Sequence, residues 1–155
     1  IDADAIYFLK DIDFKIINRN NIVITPHEAE FSRFSSYDLN EIKVNREECV
    51  NKFYKNNTNF TLVLKGKNTI VKSSKDIFIN QTGNSGMATA GSGDCLTGII
   101  LSFLGQGLDP FASAKLGVFL HGLSGDFAEE EIGEDSLLAS DIIKYLPKAI
   151  KFIRK

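Results

Sequence analysis

Gly83-Asn84-Ser85-Gly86-Met87-Ala88-Thr89-Ala90-Gly91-Ser92-Gly93-Asp94 runs directly into Cys95-Leu96-Thr97-Gly98-Ile99-Ile100-Leu101-Ser102-Phe103-Leu104. From Gln81 to Asp94 the chain holds four glycines and several other small residues, and therefore little to bury. Such a loop lets backbone approach another group closely. Beyond it, Cys95, Leu96, Ile99, Ile100, Phe103 and Leu104 mark one helical face, which Gly105 and Gly107 end. The spacing predicts a helix starting at or just after Asp94, whose first turn offers unpaired N–H groups and the positive end of its dipole. Gly91 and Gly93 would turn those groups toward an anion.

Upstream of this loop, strands and helices alternate. Ile22-Val23-Ile24 is a β-branched run cut off by Thr25-Pro26, so a buried strand ends there, and Pro26 suits the first turn of a following helix. From Glu41 to Tyr54, the residues Val44, Cys49, Val50, Phe53 and Tyr54 recur near helical spacing, predicting one amphipathic helix that Asn56-Asn57 stops. Phe60 to Leu64 reads as a strand broken at Lys65-Gly66, and shorter runs at Thr69–Val71 and Ile77–Ile79 predict a small antiparallel excursion. At the start, Ile1-Asp2-Ala3-Asp4 resembles the end of a buried strand, with Asp4 capping a helix over Ala5–Leu9.

Downstream, Asp109-Pro110 opens another helix as N-cap and first residue, and Ala112, Ala114, Gly117, Gly122 and Gly125 make it a close-packed one. Ser140-Asp141 begins a last, basic-tailed helix, with Pro147 limiting how regular it can be. Strands alternating with helices predict a layered α/β sheet. With 155 residues, 43% of them apolar, the chain suits one core, a single domain or part of one.

Composition narrows the function. A net charge of -2 with scattered Lys and Arg gives no footprint for nucleic acid. No apolar run reaches the roughly 18 to 20 residues of a bilayer span, so no membrane partner is expected. The two cysteines, Cys49 and Cys95, lack the spacing of a metal knuckle or redox pair and fit reduced thiols in a cytoplasmic protein. Twelve Phe and four Tyr are dispersed at core spacing, which suggests packing rather than a base-stacking platform. The expected partner is a small molecule.

Several residues could carry chemistry. Asp94 would repel phosphate unless it takes a proton from an attacking hydroxyl while backbone amides stabilise the transferred phosphoryl group; otherwise it is a helix N-cap. Thr25-Pro26-His27-Glu28-Ala29-Glu30-Phe31 stands at a strand C-terminus, where open α/β sheets place ligands. His27 either hydrogen-bonds a substrate or is a satisfied polar group at a helix start. Glu28 and Glu30 are either site residues or first-turn carboxylates favoured by the dipole. Lys65-Gly66-Lys67-Asn68-Thr69 offers ammonium, hydroxyl and backbone donors to a nucleotide, or else is a solvated hairpin turn. His121, in a small-residue helix, reads as a buried, hydrogen-bonded histidine rather than a ligand. No metal ligands are assigned.

Taken in order, Asp2-Ala3-Asp4-Ala5, Thr25-Pro26-His27-Glu28-Ala29-Glu30-Phe31, Leu64-Lys65-Gly66, Gly83 to Asp94, Leu96-Thr97-Gly98-Ile99, His121-Gly122-Leu123-Ser124-Gly125-Asp126 and Ser140-Asp141 resemble the ADP/ATP-dependent (S)-NAD(P)H-hydrate dehydratases. The resemblance implies a ribokinase-like three-layer α/β/α sandwich, with residues 1–155 a single partial domain whose N-terminal part is missing. It implies nucleotide-dependent dehydration of (6S)-hydrated NADH or NADPH, with ADP or ATP as co-substrate and Mg²⁺ expected. His27 and Asp94 would contact the hydrated nucleotide, Asp94 as catalytic base. Lys65, Gly66, Lys67, Asn68, Thr69 and Gly93 would bind the adenine nucleotide. Relatives assemble as homo-oligomers, often tetramers, and the same is expected here. Ala90 departs from the family, which usually has a second glycine before Gly91. The same glycine loop and Asp would also serve a ribokinase-like small-molecule kinase. A chain lacking part of the substrate site could instead act as a non-catalytic nucleotide-binding or assembly module.

Overall fold

The structure is a computed structural model that describes residues 1–55 and 58–154, so the Asn56-Asn57 helix stop lies outside the described residues. The chain forms two compact units, one of Ile1–Ile79 with Asp109–Ala114 and one of Asn80–Leu108 with the chain from Lys115 onward.

The first unit holds a four-stranded sheet in the order β1-β2-β3-β4. β1 (Val23–Ile24) runs parallel to β2 (Thr61–Leu64), with Val23 opposite Thr61 and Ile24 opposite Leu62. β3 (Ile70–Lys72) and β4 (Ile77–Ile79) then add antiparallel, which is the excursion the short apolar runs predict. Every β2 residue is buried, as expected of a strand covered on both faces. Around the sheet stand α1 (Asp4–Tyr7), α2 (Phe14–Ile17), α3 (Glu28–Ser35), α4 (Leu39–Val44) and α5 (Arg46–Tyr54). Ile24, Phe31, Ile42, Val50, Phe60 and Leu62 are fully buried in one cluster. Phe31, Phe34 and Phe53 meet edge to face at centroid distances of 5.5 to 5.6 Å, so these rings pack the core as their spacing implies.

Three local expectations are corrected here. Asp4 does not cap α1; it lies inside the first turn, and the cap position is Ala3, whose side chain accepts no hydrogen bond. Pro26 precedes rather than opens its helix, because the His27 imidazole takes the N-cap of α3 by accepting from the Ala29 and Glu30 amides. The single helix expected over Glu41–Tyr54 is two. Asp38 Oδ1 caps α4 by accepting from Asn40 N at 2.8 Å, and Asn45 leaves helical geometry at φ −130°, ψ 50°. That break resets the register so that Cys49 and Val50 are buried in α5 while Val44 stands 78% exposed.

The second unit is helical. The loop from Asn80 contains a 3₁₀ turn at Ser85–Met87 and leads into α6 (Ser92–Gly105). α6 starts two residues earlier than its apolar face suggests, since Gly91 takes the N-cap at φ 85°, a left-handed conformation that glycine adopts without strain. It ends as expected: Gly107 at φ 90° donates to Leu104 O at 3.0 Å and Leu108 N to Phe103 O at 3.2 Å. α7 (Pro110–Ile132), whose first residues to Ala114 belong to the first unit, opens on Asp109, whose Oδ1 accepts from Phe111 N and Ala112 N at 3.1 Å. α8 (Ala139–Ile153) starts one residue before Ser140; Asp141 Oδ2 accepts from Leu138 N at 3.0 Å, and Pro147 stands inside the helix. Ala128, Leu137, Ile142 and Tyr145 form the core here, with Met87 and Phe127 against it. Among the described residues no helix is long and apolar enough to cross a membrane.

Other groups come closest at Gly86, where a Cβ would sit 2.6 Å from Glu134 O, and at three α7 glycines. A Cβ at Gly117 would sit 2.6 Å from Ile100 Cγ1. One at Gly125 would collide with Met87 Sδ and lie 2.7 Å from its Cγ. One at Gly122 would collide with Thr82 Oγ1 and lie 2.7 Å from the Thr82 carbonyl carbon. A Cβ at Gly98, in α6, would meet nothing within 4 Å. Gly122→Ala should therefore destabilise by about 1 to 3 kcal/mol through overpacking, whereas Gly98→Ala should stabilise by about 0.5 to 1 kcal/mol through helix propensity. Urea denaturation midpoints of the two variants check the opposite signs.

Candidate functional site

Because β1 and β2 are parallel, their C-terminal ends lie side by side, and the two polar segments that follow them meet. Lys65 N donates to Pro26 O at 2.8 Å, extending the pairing one step past the strands. Ile1 pairs along β1 as a strand end would, its amino group donating to Val23 O at 2.8 Å and its carbonyl accepting from Thr25 N at 3.1 Å, but it stands 40% exposed rather than buried as the sequence suggests. Asp2 Oδ1 then accepts from Thr25 Oγ1 at 2.7 Å and from Lys65 Nζ at 2.9 Å. Glu30 Oε2 stands 3.9 Å from the same ammonium. Lys65 is thus held between two carboxylates in a partly buried setting, with side-chain exposures of 20% for Lys65, 12% for Asp2 and 15% for Glu30.

Of the two roles offered by its sequence position, the structure shows His27 in that of a satisfied polar group at a helix start. Its Nδ1 accepts from Ala29 N at 3.1 Å and Glu30 N at 3.3 Å, while Glu30 Oε2 accepts from His27 N at 2.7 Å, a reciprocal capping box. The accepting Nδ1 assigns the ring proton to Nε2. That nitrogen is 3.4 Å from Glu30 Oε1 on a side chain 53% exposed. The cap holds the ring in place and leaves its other edge accessible. Glu30 therefore links the His27 and Lys65 blocks. Glu28 pairs instead with Arg46 Nε, at 3.3 Å.

The turn Lys65–Thr69 joins β2 to β3, as the hairpin reading expects. It is not simply solvated. Arg46, the first residue of α5, donates from Nη2 to Leu64 O and Lys65 O, both at 3.0 Å, and from Nη1 to Lys67 O. Thr69 Oγ1 donates to Gly66 O at 2.8 Å. Gly66 adopts φ +135°, and a Cβ there would lie 3.1 Å from both terminal nitrogens of Arg46. Burial lowers the Arg46 pKa from its ordinary value, and Glu28 acts in the opposite direction. Sequence inspection misses Arg46. It belongs to no motif, and it lies 18 to 21 residues from the carbonyls it binds.

In the second unit, Asp94 is not the N-cap of α6. Gly91 occupies that position without a side-chain bond, and Asp94 falls on the third helical residue, exposed. Among the described residues the Gly93 and Asp94 amides have no acceptor, and the Asp94 carboxylate has no hydrogen-bond partner. The loop ahead is pinned from α7: Asp126 accepts from Gly83 N at 2.9 and 3.1 Å and from Asn84 Nδ2 at 3.2 Å. Ser85 Oγ donates to Glu134 Oε2 at 2.5 Å. His121 Nε2 lies 3.0 Å from Ser92 O and 3.3 Å from Ser92 Oγ, so this histidine is hydrogen-bonded within the protein, as its setting suggests. Burial drives its pKa down to about 4, against a smaller upward effect of the Ser92 carbonyl. Among the described residues no three His, Cys, Asp or Glu side chains gather as a metal site.

A family model described as NAD(P)H-hydrate dehydratase matches residues 1–148. The chain belongs to that family. The bifunctional NAD(P)H-hydrate repair enzyme Nnr of Moorella thermoacetica is 39% identical over 154 residues, covering 97% of this chain and 29% of the relative. The ADP-dependent (S)-NAD(P)H-hydrate dehydratase of Neisseria meningitidis serogroup B is 40% identical over 149 residues, covering 92% of this chain and 49% of the relative. Among solved structures, the Bacillus subtilis ADP/ATP-dependent NAD(P)H-hydrate dehydratase co-crystallised with ATP/Mg²⁺ is 34% identical with a TM-score of 0.77, over 83% of this chain and 47% of that one. A ribokinase-like superfamily protein of Enterococcus faecalis V583 is 31% identical with a TM-score of 0.82, over 97% of this chain and 51% of that one. The chain thus spans about half or less of the length of these relatives, and its fold is ribokinase-like α/β.

His121 gives this dehydratase-family chain an acid-side liability. Its folded pKa of about 4 lies below the ordinary histidine value of 6.5, so the unfolded chain takes up the proton first as pH falls. The contribution of this group to stability should be constant above pH 6.5 and decline between 6.5 and 4. The decline has an upper limit of about 3 kcal/mol. Melting curves across that window should be flatter for His121→Asn than for the unsubstituted protein.

Proposed function

We propose that the protein containing this chain dehydrates (6S)-hydrated NADH or NADPH back to NAD(P)H, consuming ADP or ATP and releasing AMP or ADP with phosphate. The observation that carries this proposal is the first turn of α6, where two unpaired amides, Gly93 and Asp94, stand beside a carboxylate with no hydrogen-bond partner among the described residues. Free amides suit an anion. An exposed carboxylate beside them suits proton removal from the group that becomes phosphorylated.

In this mechanism Asp94 takes the proton of the hydrate's hydroxyl as that oxygen attacks the terminal phosphoryl group of the nucleotide. The nucleotide's bridging oxygen leaves with AMP or ADP. The phosphate ester then eliminates: its C–O bond breaks so that the hydroxyl oxygen leaves on phosphate, and the neighbouring ring carbon releases a proton to solvent as the dihydronicotinamide double bond forms. Gly93 N–H faces the transferred phosphoryl group, and His27 binds the hydrated nucleotide through its accessible edge. Lys65, Gly66, Lys67, Asn68 and Thr69 receive the adenine nucleotide. Mg²⁺ bound with the nucleotide would supply charge neutralisation at the phosphates.

The family match running through both units supports treating residues 1–155 as one partial dehydratase domain. A cytoplasmic setting and homo-oligomeric assembly, up to a tetramer, belong to the same proposal. Incubation of the full-length protein with hydrated NADH and either ADP or ATP should restore the dihydronicotinamide absorbance. A stable phosphorylated product without that recovery would point to a small-molecule kinase instead. Asp94→Asn should retain nucleotide binding and lose at least about 100-fold in turnover, the lower range for removing a general base. Near-normal turnover of this variant would remove Asp94 from the mechanism.

A further inference from the structure

One guanidinium decides which side of the Lys65–Thr69 turn is free. Peptide groups in a tight turn can present either carbonyls or amides to an approaching ligand, and a phosphate is repelled by the first and bound by the second. Here the carbonyls of Leu64, Lys65 and Lys67 all accept from Arg46, and that of Gly66 accepts from Thr69 Oγ1. Four consecutive acceptors are thereby occupied inside the protein. Among the described residues the Gly66, Lys67 and Asn68 amides have no acceptor. The residue types suit this state, since Asn68 sits at φ 55° and Gly66 at φ +135°, conformations that Asn tolerates and Gly adopts freely.

Arg46 is itself fixed at three points. It begins α5 immediately after the Asn45 break, its Nε faces Glu28 Oε1 at 3.3 Å, and its planar head lies against the open face of Gly66. Glu28 is the first residue of α3, next to the His27 cap. The side chain therefore ties the turn to the helix that carries His27. A lysine has one ammonium in place of this planar fork and cannot serve three carbonyls and a carboxylate with the same geometry.

We infer that Arg46 is a positioning residue for the adenine nucleotide, which turns the Leu64–Lys67 carbonyls inward so that the turn presents its amides and the Lys67 side chain to the phosphates. This rests on the nucleotide role proposed for Lys65–Thr69. Arg46 would touch neither nucleotide nor hydrate.

The test uses the full-length protein with ADP as the probe, and compares Arg46→Lys and Arg46→Ala with the unsubstituted enzyme. Calorimetric ADP titration should show affinity at least 10-fold weaker in both variants, while kcat at saturating ADP stays within about threefold and KM for ADP rises. Millimolar methylguanidinium should recover part of the affinity of Arg46→Ala and leave that of the unsubstituted protein unchanged. Trypsin should cleave after Lys67 faster in both variants. Unchanged ADP affinity in Arg46→Lys and Arg46→Ala, alongside normal binding by the parent, overturns the inference and leaves the nucleotide role of the turn intact. Loss of kcat and affinity in proportion to a lowered melting temperature, without guanidinium rescue, marks a merely structural arginine and also overturns it. A parent protein that binds neither ADP nor ATP overturns the nucleotide role itself, and the inference with it.

Discussion

A helix begins with amides that it cannot satisfy, and at α6 the protein leaves two of them, Gly93 and Asp94, without an acceptor among the described residues. Much of the second unit holds that unsatisfied turn in place. Gly91 in the left-handed region lets the chain turn into the helix without a capping side chain. His121 takes the Ser92 carbonyl, and Asp126 takes the Gly83 amide and the Asn84 side chain. Glycines 117, 122 and 125 let α7 meet Ile100, Thr82 and Met87 at distances that a methyl group would forbid. The small residues and polar pins serve one end, a short stretch of backbone whose donors have no acceptor among the described residues.

The same device recurs in the first unit with different means. At α3 the helix amides are satisfied by the His27 ring, so the cap consumes one nitrogen of the imidazole and orients the other. At the β2–β3 turn the acceptors are consumed instead, by Arg46, and the donors remain. Asp2 and Glu30 hold the Lys65 ammonium between them. A phosphate approaching Lys65 would compete with two carboxylates, so this lysine contributes less net attraction than its charge alone suggests, and the backbone amides gain importance.

Features set by local chemistry were legible in the sequence. Asp109-Pro110 opens α7, Gly107 closes α6, and the β-branched runs become the strands, because each depends on residues within a few positions of one another. Boundaries decided by competition were not. Asp4 and Pro26 are ordinary helix-start residues displaced by neighbours, and Asn45 breaks what periodicity alone joins into one helix. The start of α6 moved to Ser92 because a glycine N-cap leaves no side-chain signal. Arg46 escaped entirely, since bonds from one side chain to carbonyls about twenty residues away have no pattern in the sequence. The glycine loop and the His27 segment could be picked out as candidates from residue types alone, while the pins that hold them needed the fold.

If the substrate hydroxyl is activated by phosphorylation after Asp94 removes its proton, the fate of that hydroxyl oxygen is the most direct test. Hydrated NADH labelled with oxygen-18 in the hydroxyl, given to the full-length protein with ADP or ATP in a single turnover, should yield inorganic phosphate carrying the label. Unlabelled phosphate, with the oxygen-18 released into water, would show that nucleotide cleavage and dehydration proceed without a phosphorylated hydrate and would contradict this mechanism.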